Sequence, residues 1–237
     1  MKNFDCLILI DKPAGISSFG VVARVRRILT EEKRAEEIAN GVPEKNLTKR
    51  MKVGHTGTLD PFATGLLILL SGKRTREAER FSKLDKVYEA TIRLGMTSTT
   101  GDPEGEIIKF SDTQPTRDKI VGALHKFTSQ ITQTPPIYSA IKIDGQRAYK
   151  LARKGELPKI PPRQVTIYSM EILNYNYPTL KIRAHVSSGT YIRTLAEDIG
   201  KELGTGAYTT ELRRTKVGDF DVKDAEKNVN LCLSSKS

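Results

Sequence analysis

The sequence predicts an α+β protein built on a mixed, largely antiparallel sheet with flanking helices. Two observations carry this. Strand-like runs outnumber helical ones and often follow one another without a helix between them, as residues 165–174 and 180–186 do. Between two further strand-like segments stands Asp144-Gly145, the residue pair of a tight antiparallel hairpin.

Taken in order, residues 6–10 are a short apolar run that reads as a buried strand. Pro13 and Gly15 turn the chain, and Ser17 or Ser18 caps a helix whose apolar positions Val21, Val22, Val25, Ile28 and Leu29 recur at helical spacing. Its polar face carries Arg24, Arg26 and Arg27. Residues 30–50 hold five acidic and five basic side chains with little apolar periodicity. They read as a solvated insertion, helical until Gly41-Val42-Pro43 stops it. Beyond a Gly-rich stretch come strands at 65–70 and 87–94, a loop at 101–105 and a helix at 117–127. Pro135-Pro136 breaks the chain before the hairpin, a short helix follows at 149–153, and Pro158, Pro161 and Pro162 close that excursion. Two strands, a helix at 191–203 and two last pieces at 208–213 and 215–220 complete one domain over 1–225, with a frayed tail at 226–237. The sequence holds no internal repeat.

At 237 residues the chain can bury a sizeable core, and 38% hydrophobic with 28% charged residues fits a soluble protein. No apolar run approaches the roughly 18 residues of a membrane span. The N-terminal apolar stretch is too short for a signal peptide, so the cytoplasm is expected. Cys6 and Cys232 lie at opposite ends of the sequence without metal-type spacing and read as reduced thiols. The net charge of +11, from 39 Lys+Arg against 28 Asp+Glu, favours a polyanionic partner. Charge alone does not separate RNA from DNA or an anionic surface.

The histidines His55, His125 and His185 are too scattered for a zinc site. Ser17-Ser18 and Ser187-Ser188 lack the glycines of a nucleophile elbow, and Gly72-Lys73-Arg74-Thr75 lacks the spacing of a phosphate loop. No metal, thiol or nucleotide-hydrolysing chemistry is expected. What remains is Asp60, flanked by Gly54, Gly57 and Gly65 and followed by Pro61, which disfavours helical geometry at the residue before it. A carboxylate on such a loop, beside a histidine and several hydroxyls, is either a nucleophile or acid–base group, or an aspartate that satisfies turn amides. Residue types and spacing leave both open.

The segment His55-Thr56-Gly57-Thr58-Leu59-Asp60-Pro61-Phe62-Ala63-Thr64-Gly65 resembles the active-site motif of the TruB family of tRNA pseudouridine synthases, with Phe62 where Leu is commoner. Four further segments resemble family motifs in the right order. These are Leu9 to Ser18, Lys86-Val87-Tyr88, Tyr138-Ser139-Ala140 through Ala152-Arg153, and Ser188 to Leu195 with Leu212-Arg213-Arg214. The resemblance covers about the first 220 residues. It implies the pseudouridine synthase fold with a central RNA-binding cleft, and isomerisation of uridine at position 55 in the T-loop of tRNA. No metal, redox agent or nucleotide cofactor is implied.

By that resemblance Asp60 is the nucleophile, Arg193 the arginine that pairs with it, and Tyr88 the ring that stacks on the flipped uracil and is proposed to accept the C5 proton. Leu212 forms an apolar pocket wall, and His55 fills the space left by flipped nucleotides. Lys12 and Tyr191 join the substrate-binding set. The excursion at 137–163, with Lys142, Arg147 and Arg153 among its cations, is expected to clamp RNA. The expected protein is a monomer that binds the tRNA T-arm and no membrane. Two departures stand out: no room for the family's C-terminal PUA-type domain, and the insertion at 30–50. A catalytically silent RNA-binding or tRNA-folding protein on the same scaffold is the alternative.

Overall fold

The computed structural model describes residues 2–139, 141–143, 145–152 and 160–227, with the backbone alone for 142, 143, 147, 149 and 150. Arg153, Ala140, Asp144 and the tail beyond 227 therefore lie outside the described residues. The chain forms two compact units, one of residues up to 84 together with those from 214 on, the other of 85–213.

The first unit opens with β1 (Leu7–Lys12) and α1 (Ser18–Ala39), followed by β2 (Val53–His55), β3 (Thr64–Ser71) and the short α2 (Ala78–Ser82). Ser17 is the cap of α1, its side chain accepting the Gly20 N–H. β3 lies between β1 and the last residues of a late strand, β1 and β2 both running antiparallel to it. Both faces of β3 are covered. Leu67 and Leu69 pack with Ile8, Ile10, Val21, Val25 and Leu29, while Leu66 and Ile68 pack with Val217 and Leu84. A strand buried on both sides reads as a continuous apolar run, which is why Gly65 to Leu70 does not alternate.

In the second unit β4 (Lys86–Leu94) is followed by the hairpin β5 (Met96–Ser98) and β6 (Ile107–Lys109), then α3 (Arg117–Phe127) and β7 (Gln130–Gln133). The Asp-Gly hairpin is β8 (Lys142–Ile143) with β9 (Gln146–Arg147), leading into α4 (Ala148–Ala152). β10 (Arg163–Asn176), β11 (Thr179–Val186) and α5 (Ile192–Glu202) follow, and β12 (Ala207–Val217) carries the chain back to the first unit, where β13 (Phe220–Asp221) pairs with its end. Sheet order here is β12-β4-β11-β10-β7, antiparallel from β4 onward. β4 buries every second residue, Tyr88 among them, as a sheet with one packed face requires. The fold class is α+β, as the sequence predicts.

The insertion at 30–50 is a continuation of α1, capped at Asn40, whose return limb is stitched back to the helix. Glu37 accepts both the Thr48 N–H and its hydroxyl at 2.7 Å, and the Thr30 hydroxyl accepts the Met51 N–H at 3.1 Å.

Candidate active site

Asp60 sits half-buried in the loop between β2 and β3, and that loop is anchored on both sides of it. Before it, the Ser18 hydroxyl accepts the Leu59 N–H at 2.8 Å and donates to the Leu59 carbonyl at 2.9 Å. After it, the Pro61 carbonyl accepts the Gly15 N–H at 2.9 Å and the Lys12 ammonium at 3.2 Å. The Asp60 carbonyl itself accepts from Ala63 N–H at 3.1 Å, closing a tight turn.

Arg214 holds the upstream arm. Its guanidinium, 2% exposed, donates to the carbonyls of Leu66 (2.7 Å), Gly57 (3.1 Å) and Thr58 (3.4 Å). The planar fork gives each carbonyl its own nitrogen, Nε for Leu66, Nη2 for Gly57 and Nη1 for Thr58. Gly65 permits the approach: a Cβ there would lie 2.2 Å from the Arg214 carbonyl, and its φ of +103° suits glycine.

The Lys12 side chain is fully buried, and its ammonium donates to the Pro13 and Ile16 carbonyls (both 2.8 Å) as well as to Pro61. It supports the loop from inside. His55, at the end of β2, meets the exposed ring of Phe19 edge-on, with centroids 5.6 Å apart.

In the second unit Arg193, on α5, is buried and ion-paired with the equally buried Asp102 at 2.9 Å. It also donates to the carbonyls of Thr100 (2.8 Å) and Tyr138 (2.9 Å). Asp102 is held in turn: one carboxylate oxygen accepts the Thr100 hydroxyl at 2.6 Å and the Glu104 N–H at 3.0 Å. Tyr88 on β4 is buried opposite Ala184, and Leu212 on β12 is buried as well. Tyr191, half-buried ahead of α5, exchanges two hydrogen bonds with the buried Gln133 amide, and the Arg163 guanidinium lies 4.9 Å from its ring centroid. Of the expected clamp, Lys142 and Arg147 are placed by backbone on the β8–β9 hairpin, and Arg153 lies outside the described residues.

Sequence reasoning missed Ser18, Arg214 and Asp102 as site residues. Thr100-Gly101-Asp102-Pro103-Glu104-Gly105 has the composition of an ordinary turn. Only its placement beside a buried arginine gives the aspartate a further task.

Two solved structures share this fold. The crystal structure of a Cbf5-Nop10-Gar1 complex matches 92% of this chain and 50% of that chain, with a TM-score of 0.63 and 29% identity. The archaeal box H/ACA sRNP Nop10-Cbf5 complex gives 0.61 and 29%, over 91% and 48%. The fold is that of the pseudouridine synthase class. Residues 45–192 match the model of the TruB family pseudouridylate synthase N-terminal domain, and residues 193–231 that of the tRNA pseudouridylate synthase B C-terminal domain. The chain belongs to the TruB family.

Among curated relatives, tRNA pseudouridine synthase B of Pseudomonas syringae pv. syringae (strain B728a) is 44% identical over 219 residues, 92% of this chain and 66% of that protein. That of Endomicrobium trichonymphae is 42% identical, over 94% of this chain and 90% of the relative. For Aquifex aeolicus (strain VF5) the figures are 42%, 93% and 71%. The chain thus spans just under two thirds of the Pseudomonas relatives' length.

Proposed function

We propose that this protein isomerises uridine to pseudouridine in the T-loop of tRNA, at position 55, with Asp60 as nucleophile. The observation that carries the reading is the Asp60 loop, in a chain of this family, anchored at Leu59, Pro61, Gly57 and Thr58 by side chains from three separate elements. A carboxylate that only satisfied turn amides would not need its backbone fixed from every side. A nucleophile does, because misplacement by about 1 Å can cost on the order of 100-fold in rate.

The reaction breaks the N1–C1′ bond of uridine, turns the uracil and forms C5–C1′; the C5 proton is released and N1 takes one up, so substrate and product have the same atoms. Asp60 supplies the electron pair that carries the detached intermediate. Tyr88 stacks on the extruded base, Leu212 lines its pocket, and His55 with its neighbour Phe19 occupies the space the base leaves. Extrusion costs a few kcal/mol of unstacking, about what such contacts return. Arg193, oriented by Asp102, is the cation of the site. We further read the chain as a cytoplasmic monomer acting on the T-arm without a nucleotide cofactor. Among the described residues, no helix is long and apolar enough to cross a membrane.

The test is to incubate the protein with a tRNA transcript and no added cofactor, then map pseudouridine. Pseudouridine at position 55 without free uracil is expected. RNA binding with no pseudouridine would overturn the reading in favour of a silent binder.

Arg214→Met is expected to lower the single-turnover rate by about 10- to 100-fold while RNA affinity is kept, because the Gly57 and Thr58 carbonyls lose their shared donor. Arg214→Lys should recover only part, since one ammonium nitrogen would replace the Nε, Nη1 and Nη2 that reach the Leu66, Thr58 and Gly57 carbonyls separately. A wild-type rate in the Met variant would show that the loop does not depend on Arg214.

A further inference from the structure

In the first unit a concavity of about 460 Å³ opens between the start of β1, the return limb of the insertion and the 3-10 turn that follows β3. Its wall carries five cations, Lys2, Lys33, Arg50, Lys52 and Lys73, and one carboxylate, Asp5. Asp5 turns one oxygen to the Lys73 N–H at 2.7 Å, so part of its charge is spent on backbone. Lys2 and Lys33 are neutralised by Glu32 (2.5 Å) and Glu36 (3.7 Å) on α1. Among the described residues no ion pair engages Arg50, Lys52 or Lys73, all three exposed.

These three cations are carried on fixed backbone. The limb bearing Arg50 and Lys52 is tied to α1 at Thr48 and Met51, and the Arg26 guanidinium donates to the Val53 carbonyl at 2.9 Å. The Gly72 N–H donates to the Lys52 carbonyl at 2.9 Å, which joins the limb to the turn bearing Lys73. Uncompensated positive potential is felt nearby: burial first, then the Arg50 charge, holds Arg26 below its ordinary range. Folding has gathered five cations in a hollow and ion-paired only two of them, an arrangement a bound polyanion would relieve. The hollow begins at Lys52, and His55 lies three residues further along β2, about 10 Å at strand rise. An RNA seated at His55 has its phosphates within reach of it.

We propose that Arg50, Lys52 and Lys73 form a second contact to the RNA backbone, built by the insertion, that contributes affinity rather than chemistry. The proposal rests on the reading of the substrate as tRNA. Charge favours a phosphate backbone over a protein ligand, because the hollow is open and five of its ten lining residues are cations against one carboxylate.

The test compares binding of a whole tRNA transcript by the wild-type protein and by the Arg50→Gln/Lys52→Gln/Lys73→Gln variant, from about 50 to 200 mM salt. A control removes the same charge from exposed Arg117, Lys119 and Lys201 in the second unit. Loss of three phosphate contacts should lower the slope of log affinity against log salt by about 2 to 3, and the control should lower it by less. Equal slopes for variant and wild type, or an equal loss in the control, would overturn the cradle. Pseudouridine is measured on the same wild-type preparation. Its absence alongside a reduced slope in the variant would sink the enzymatic reading and leave the cradle standing. Its presence alongside equal slopes would do the reverse.

Discussion

Replacing Asp60 with Asn is expected to abolish pseudouridine formation on a tRNA T-arm while leaving RNA binding largely intact. The amide matches the carboxylate in shape, and the anchors at Leu59, Pro61, Gly57 and Thr58 all grip backbone or come from other side chains. The loop therefore keeps its place and only the reactive group changes. Loss of a nucleophile commonly costs on the order of 10⁴-fold or more in rate, far beyond what displacement of a supporting residue costs. Single-turnover assays at saturating RNA measure it directly. Unchanged turnover in the purified variant would remove Asp60 from the chemistry and leave it the turn-satisfying role that spacing alone allowed.

The second large effect is expected at Asp102. Arg193 and Asp102 side chains are 4% and 6% exposed, so neither charge can fall back on water. Removing one partner of a buried pair costs about 3–5 kcal/mol, because the other charge stays buried without the partner that offset its desolvation. For a chain of this size each kcal/mol lowers the melting temperature by about 2–4 °C, so Asp102→Ala should melt roughly 6–20 °C lower. Activity should fall as well, by about 100-fold at a temperature where the variant is still folded, since Arg193 loses the partner that aims it. Asp102→Asn separates the two effects. Its amide can still accept from Thr100 and Glu104 but carries no charge for Arg193. A variant that melts like the wild type and retains its rate would show that the other partners of the arginine, the carbonyls of Thr100 and Tyr138 and the nearby Glu197 carboxyl among them, suffice to hold it.

Legibility varied with the source of each element's stability. α3 follows its periodicity from Arg117 to Phe127, and α1 runs to Ala39, just short of its Gly41-Val42-Pro43 stop. β7 was not legible, because Gln130-Ile131-Thr132-Gln133 has no apolar alternation and becomes a strand only by pairing with β10. β2 is three residues with a glycine at its centre, and it exists because β3 offers it an edge. The two late pieces, expected as separate, are one strand, Ala207–Val217. Arg214, at the end of the motif Leu212-Arg213-Arg214, is buried inside that strand.

At the site, the motifs around Asp60, Tyr88 and Arg193 could be read only through the chain's resemblance to a family, since residue types and spacing by themselves left Asp60 open between a nucleophile and a turn aspartate. The α+β class could be read without that resemblance, periodicity being a local property. Tertiary structure alone decided that Lys12 is buried and donates to the Asp60 loop, that Arg214 and Ser18 hold that loop, and that Asp102 partners Arg193. Each of those depends on a charge or hydroxyl meeting groups about 40 to 160 residues away. Sequence patterns register which side chains can bear charge. They do not register which carbonyls folding will leave in need of a donor.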